Sequence, residues 1–168
     1  MKFALIAAGI IFGFVSLSWG NVMPLKLQST AFNNGSSIPV KYTCNGNNIS
    51  PPLSWNGEPN QTKSFVLIVD DPDAPNGTWT HWIVFNIPAT THELSENISS
   101  GFQYGKNSWG RSLYGSPCPP GGEHRYYFKL YALDILLSLP AGASKSQVES
   151  AMQGHILADT TLMGRYKK

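Results

Sequence analysis

Charged side chains are scarce in this 168-residue chain: they make up 13% of it, about half the usual share. The 12 lysines and arginines nearly cancel the 10 acids, and no basic cluster precedes the terminal "RYKK". A nucleic-acid footprint is therefore absent, and no nucleic-acid partner is expected. There is no HExxH or HxH spacing, so the common zinc signatures are missing. Nothing around Ser112 or Ser116 resembles a nucleophile elbow. These gaps argue against an enzyme and against a cofactor or resident metal. Internal repeats, low-complexity stretches and linkers are lacking too, so one domain is expected.

Cysteine is nearly absent, with Cys44 and Cys118 as the sole pair. In an oxidising compartment they can bridge; in the alternative they are two separate thiols beside a pocket. The compartment is indicated by residues 1–20. Lys2 supplies a positive start, "FALIAAGIIFGFV" (3–15) is an apolar run, and Ser18 and Gly20 stand where a signal peptidase reads small residues. The run falls short of the roughly 20 apolar residues a spanning helix needs. The expectation is a signal peptide over 1–20, a single domain over 21–168, a periplasmic or secreted location, and no integral membrane segment after processing.

Turn formers are abundant, with 16 Gly and 12 Pro, which favours short strands and many loops. "PLKLQST" (24–30) and "IPVKYTC" (38–44) alternate loosely and predict strands around the turn "NNGSS". "SPPLSW" (50–55) is proline-rich, which predicts an edge strand or structured loop. "SFVLIVD" (64–70) is apolar on both faces, as a doubly covered strand is. "HWIVFNI" (81–87) predicts His81, Ile83, Phe85 and Ile87 on one face. "HRYYFKLYALD" (124–134) predicts His124, Tyr126, Phe128, Leu130 and Ala132 on one face. Residues 88–123 are loop-dominated, and so long a connection is read as wrapping a site.

A helix is expected only near the end. Ser144 with Gln147 forms a capping-box pattern, followed by Val148, Met152 and His155 or Ile156 at helical spacing. Strands first and helix last predict a mainly β fold, an antiparallel β-sandwich with a C-terminal helix.

The most unusual stretch is "DDPDAPNGTWTHW" (70–82). Pro72 and Pro75 stiffen the corner that carries Asp71 and Asp73, so their side chains can converge on one concavity. An ordinary turn, with each aspartate capping its own loop, is the plainer reading. His81 and His124 both open apolar strands, Tyr126 shares the face of His124, and "YGSPCPP" (114–120) offers small residues whose backbone N–H groups suit an anion. Together they predict a polar pocket.

"VDDPDAP…THWIVFNI" followed by "YGSPCPPGGEHRYYFKLYALD", with "YTCNGNNISPPLSW" upstream and "GHILADTTLMGRY" at the end, resembles the phosphatidylethanolamine-binding protein family. The likeness is strongest to its bacterial and archaeal branch, the Raf kinase inhibitor-like proteins. The resemblance implies a β-sandwich of two antiparallel sheets with a small Greek-key-like topology and an anion pocket at one end. It places the pocket at Asp71, Asp73, His81, His124 and Tyr126, with Ser116 and Pro117 at the rim. The position of Ser116 is often glycine in the family, so close backbone approach to a ligand is the point of departure. Phosphate, phosphomonoesters or phosphorylated head groups are the implied ligands, with a protein target and a homodimer as further expectations. Competing readings are an inhibitor of a protease or other enzyme acting through surface loops, and a metal-assisted phosphoester hydrolase.

Overall fold

A computed structural model describes residues 23–168; the expected signal peptide, 1–20, lies outside the described residues. Among the described residues the architecture is mainly β, two antiparallel sheets with one α-helix. A three-stranded sheet has the order β1 (Lys26–Gln28), β2 (Leu53–Asn56), β5 (Glu93–Leu94). A five-stranded sheet has the order β6 (Gln103–Tyr104), β4 (Trp79–Pro88), β3 (Ser64–Asp71), β7 (Glu123–Leu133), β8 (Ile156–Lys167). Helix α1 spans Lys145–Met152. Among the described residues no helix is long and apolar enough to cross a membrane.

The large sheet is covered on both faces, which is why β3 is buried along its whole length. One face carries Phe65, Leu67, Val69 and Phe128 against Leu27, Leu53 and Trp55 of the small sheet. The other carries Val66, Ile68, Ile83 and Phe85 against Val148 and Met152 of α1. Ser144 caps that helix as its sequence predicts: its hydroxyl accepts from the Gln147 N–H, and the Gln147 side chain accepts from the Ser144 N–H at 2.8 Å.

Three local expectations need correction. Residues 38–44 form no strand; Val40–Tyr42 is a 3-10 turn after Pro39. The proline-rich segment 50–55 supplies the central strand of the small sheet, because Pro51 and Pro52 stop short of β2 and remove no ladder donor from it. The helix is not the last element. It stops at Met152, Gly154 takes φ +79°, and the 12-residue β8 follows, with His155 and Ile156 outside the helix.

Strand β4 departs from simple alternation twice, through β-bulges. Opposite Val66, the ladder steps from Phe65↔Ile87 to Leu67↔Val84, so β4 carries an extra residue. Asn86 sits there at φ 54°, and its amide exchanges hydrogen bonds with the backbone of Leu137 at 2.7 and 2.9 Å. Ile87 is thereby turned into the core between the sheets, away from Ile83 and Phe85. The second bulge lies at His81.

Candidate functional site

The second irregularity falls between Val69↔Trp82 and Asp70↔Thr80, leaving His81 unpaired in the ladder. Regular alternation would point His81 with Ile83 and Phe85 toward the helix layer. The bulge turns it to the opposite face, where its ring meets Tyr126 edge-on at 5.2 Å. The same local step keeps Thr80 on the helix side, donating from Oγ1 to Asp70 at 2.9 Å.

Asp70 and Asp71 consequently have different lives. Asp70 is buried under α1 and accepts from Lys129 at 3.0 Å and Lys145 at 2.8 Å. Burial alone acts to raise its pKa, but the two ammonium groups together bring it below the ordinary carboxylate value. Asp71, the last residue of β3, faces the other way. Its Oδ2 accepts from His124 Nδ1 at 2.7 Å, and its Oδ1 accepts from the Asp73 N–H at 2.8 Å across Pro72. One carboxylate thus orients an imidazole and closes the corner that follows it.

Asp71, His81, His124 and Tyr126 come together around one cavity of about 170 Å³, whose wall is completed by Trp79, Trp109 and the loop Cys118–Pro120. That volume suits a group of phosphoryl size with a few waters, below the range of pockets that hold drug-sized ligands. The Tyr126 hydroxyl and Trp79 Nε1 are both buried with no hydrogen-bond partner among the described residues. Burial, with the charges of Asp71 and Asp73, pushes the Tyr126 pKa well above its ordinary value, so the hydroxyl keeps its proton. Both residues line the cavity, so each brings a buried, unspent donor to its wall, and such donors suit an anion with several acceptor oxygens.

His81 is not the cation that an anion pocket invites. Burial pushes its pKa down, against the opposing pull of the Gly115 carbonyl, which its Nδ1–H reaches at 2.7 Å. With Nδ1 donating, the neutral ring leaves Nε2 as an acceptor. The folded-state pKa lies below the unfolded value of about 6.5, so the unfolded chain binds more protons in the interval between them. Stability should be full above about pH 6.5 and fall as the solution is acidified through that interval. His81→Gln is expected to flatten this part of the pH–stability curve in denaturant titrations; an unchanged slope would remove His81 as its source.

The other residues expected at the site lie elsewhere. Asp73 does not line the cavity. Its carboxylate is gripped by Arg125 through Nε at 2.9 Å, through the terminal nitrogen at 2.6 Å and through the backbone N–H at 2.9 Å. The guanidinium holds its pKa down to about 2. One aspartate is thus paired outside the cavity, and the other is engaged by an imidazole. Ser116 is buried and lines an adjoining cavity instead of the mouth of this one. The Pro117 carbonyl accepts from the Cys44 N–H at 3.1 Å, beside a Cys44–Cys118 disulfide whose Cα atoms stand 5.4 Å apart. Among the described residues, no group of three or more His, Cys, Asp or Glu is arranged to hold a metal ion.

Trp79 and Trp109 as cavity walls, and the Arg125 clamp on Asp73, were not expected from the sequence. The alternation of β7 puts Arg125 on the face opposite His124, which gave no hint that the corner at Asp73 wraps round to it.

Residues 28–167 match the model of the phosphatidylethanolamine-binding protein family. An archaeal relative, the UPF0098 protein of Methanothermobacter thermautotrophicus, is 50% identical over 150 residues, covering 86% of this chain and 99% of its own. The UPF0098 protein of Aquifex aeolicus is 48% identical over 167 residues, covering 95% and 97%. The crystal structure of a phosphatidylethanolamine-binding protein homolog from Chlamydia trachomatis superposes with a TM-score of 0.84 at 47% identity, covering 86% of this chain and 98% of that one. Escherichia coli YbcL, a member of the mammalian phosphatidylethanolamine-binding protein family, gives a TM-score of 0.80 at 31% identity over 87% and 99%. With the fold, the sequence and nearly the whole described chain in agreement, this protein belongs to the phosphatidylethanolamine-binding protein family.

Proposed function

We propose that the protein is an exported, non-catalytic binding protein whose cavity takes the phosphoryl group of phosphate or a small phosphomonoester. The observation that carries this reading is the convergence of Asp71, His81, His124 and Tyr126 on one small cavity with buried, unspent donors. Phosphate oxygens accept from the Tyr126 O–H and the Trp79 N–H. A protonated phosphate oxygen donates to the neutral ring of His81. Asp71 holds Nδ1–H of His124 and leaves Nε2 of that ring for the ligand. With no lysine or arginine lining this cavity, affinity is modest and selectivity comes from hydrogen-bond geometry.

Calorimetric titration with inorganic phosphate tests the reading through Tyr126→Phe, which removes one O–H and keeps the ring. A hydrogen bond to a charged group contributes about 1.5–3 kcal/mol, so binding should weaken at least about tenfold. An affinity unchanged by this variant would mean that phosphate does not enter the cavity.

Export rests on the apolar run at 3–15 and on the disulfide, which an oxidising compartment sustains. It predicts Asn21 as the N-terminal residue of protein recovered from the periplasm or medium.

A further inference from the structure

A second cavity, of about 230 Å³, adjoins the first and shares two of its walls, Trp109 and Cys118. Arg111 lines it and, among the described residues, is the one arginine or lysine lining either cavity. Among the described residues only the backbone N–H of Arg111 is engaged as a donor, and no carboxylate pairs with its guanidinium.

The loop that presents Trp109 and Arg111 is tightly built around buried Asn107. The Asn107 Oδ1 accepts from the N–H groups of Trp109 and Arg111, both at 3.0 Å, and its Nδ2 donates to the Leu113 carbonyl at 2.9 Å. Backbone bonds at 2.9 Å tie Ser108 to Thr80 and Gly115 to His81, so the loop is docked on β4 at the bulge. The Trp109 ring lies on bare backbone: a Cβ at Gly115 would stand 2.4 Å from its Cζ3. One side of the indole meets Trp79 at 5.3 Å and His81 at 5.1 Å between ring centroids, yet the residue stays 44% exposed. Packing accounts for the covered part of this ring and leaves the exposed part without a task.

We propose that Trp109 and Arg111 form a second subsite for the organic group of a phosphomonoester, and that this subsite selects a flat aromatic group. The proposal rests on the anion-binding reading of the first cavity and extends it. The first cavity suits a phosphoryl group with a few waters, so a group esterified to it extends beyond that cavity, and on the side of the second cavity it meets the indole that both share. A flat π-system stacks on indole, and the planar guanidinium of Arg111 stacks on or donates to the far edge of the same group. A primary ammonium also finds indole attractive, but here it would approach an unpaired arginine on the same loop, and like charges oppose it. The site is therefore expected to favour aryl phosphates over aminoalkyl phosphates.

Calorimetric titration of the purified protein with inorganic phosphate, methyl phosphate, phenyl phosphate and phosphoethanolamine decides the matter. Phenyl phosphate should bind about tenfold more tightly than methyl phosphate, the lower range of a single stacking contact. In Trp109→Ala the phenyl-to-methyl ratio should fall to about one, whereas Trp109→Phe should keep most of it. Equal affinities for the two esters in the unmodified protein overturn the proposal, whether or not Trp109→Ala folds. So does a preference that survives Trp109→Ala, or phosphoethanolamine binding more tightly than phenyl phosphate. If none of the four ligands binds, the anion-binding reading falls and this inference with it. If phosphate binds and the phenyl group adds nothing, the second subsite alone is rejected.

Discussion

Asp71→Ala should melt roughly 6–12 °C below the unmodified protein, the shift expected in a domain of this size when two buried donors lose their acceptor at a cost of about 3 kcal/mol. The carboxylate is 4% exposed and accepts from two donors, the His124 ring at 2.7 Å and the Asp73 N–H at 2.8 Å. Alanine strands both where water does not reach, and an unsatisfied buried donor is more costly than a lost hydrogen bond is valuable. His124→Ala removes the other half of the pair, and the double variant completes a cycle. The two single effects should sum to more than the double, by about 1 kcal/mol or above, since the groups are in direct contact. Phosphate binding should be lost in both single variants, because Asp71 aims the imidazole and His124 presents it. A melting midpoint within about 2 °C of the unmodified protein would show that the pair does not hold the corner together.

Cys44→Ser with Cys118→Ser should destabilise the protein by about 4 kcal/mol, the chain-entropy value for a closed loop of this length. The two cysteines are 74 residues apart and enclose the small sheet's central strand, β3, β4 and the whole 88–118 connection, so reduction frees a large part of the unfolded chain. The bridge also ties the turn after Val40–Tyr42 to Cys118, which lines both cavities. Phosphate affinity should therefore fall several-fold along with stability, as the rim gains freedom that the ligand must then remove. Denaturant titration with and without reductant measures the first effect and calorimetry the second. An unfolding midpoint insensitive to reductant would mean that the bridge does not constrain the fold.

The strands that cross the centre of the molecule were legible because burial imposes a period on them. β3 is buried throughout and apolar from Phe65 to Val69, and β7 buries His124, Tyr126, Phe128, Leu130 and Ala132 on the face that alternation assigns. Ser144 and Gln147 likewise announce the start of α1 through chemistry confined to four residues. β8 escaped notice because it is an edge strand. Only Leu162, Gly164 and Tyr166 of its 12 residues are buried, so "ILADTTLMGRYK" carries little alternation. The pairing of Asp73 with Arg125 spans 52 residues and involves an exposed arginine, and no local pattern encodes such a contact. The pocket residues were found partly by chemistry and partly by resemblance. Strict alternation points His81 away from Tyr126, and only the bulge brings its ring to the cavity wall.

That geometry has a consequence for how the protein can change. An evenly paired β4 would make a better sheet and a poorer site, because residue 81 would then look into the helix layer. Repairing the flaw would take His81 out of the cavity wall, so regularity gained by the sheet at this one step would be lost to the cavity.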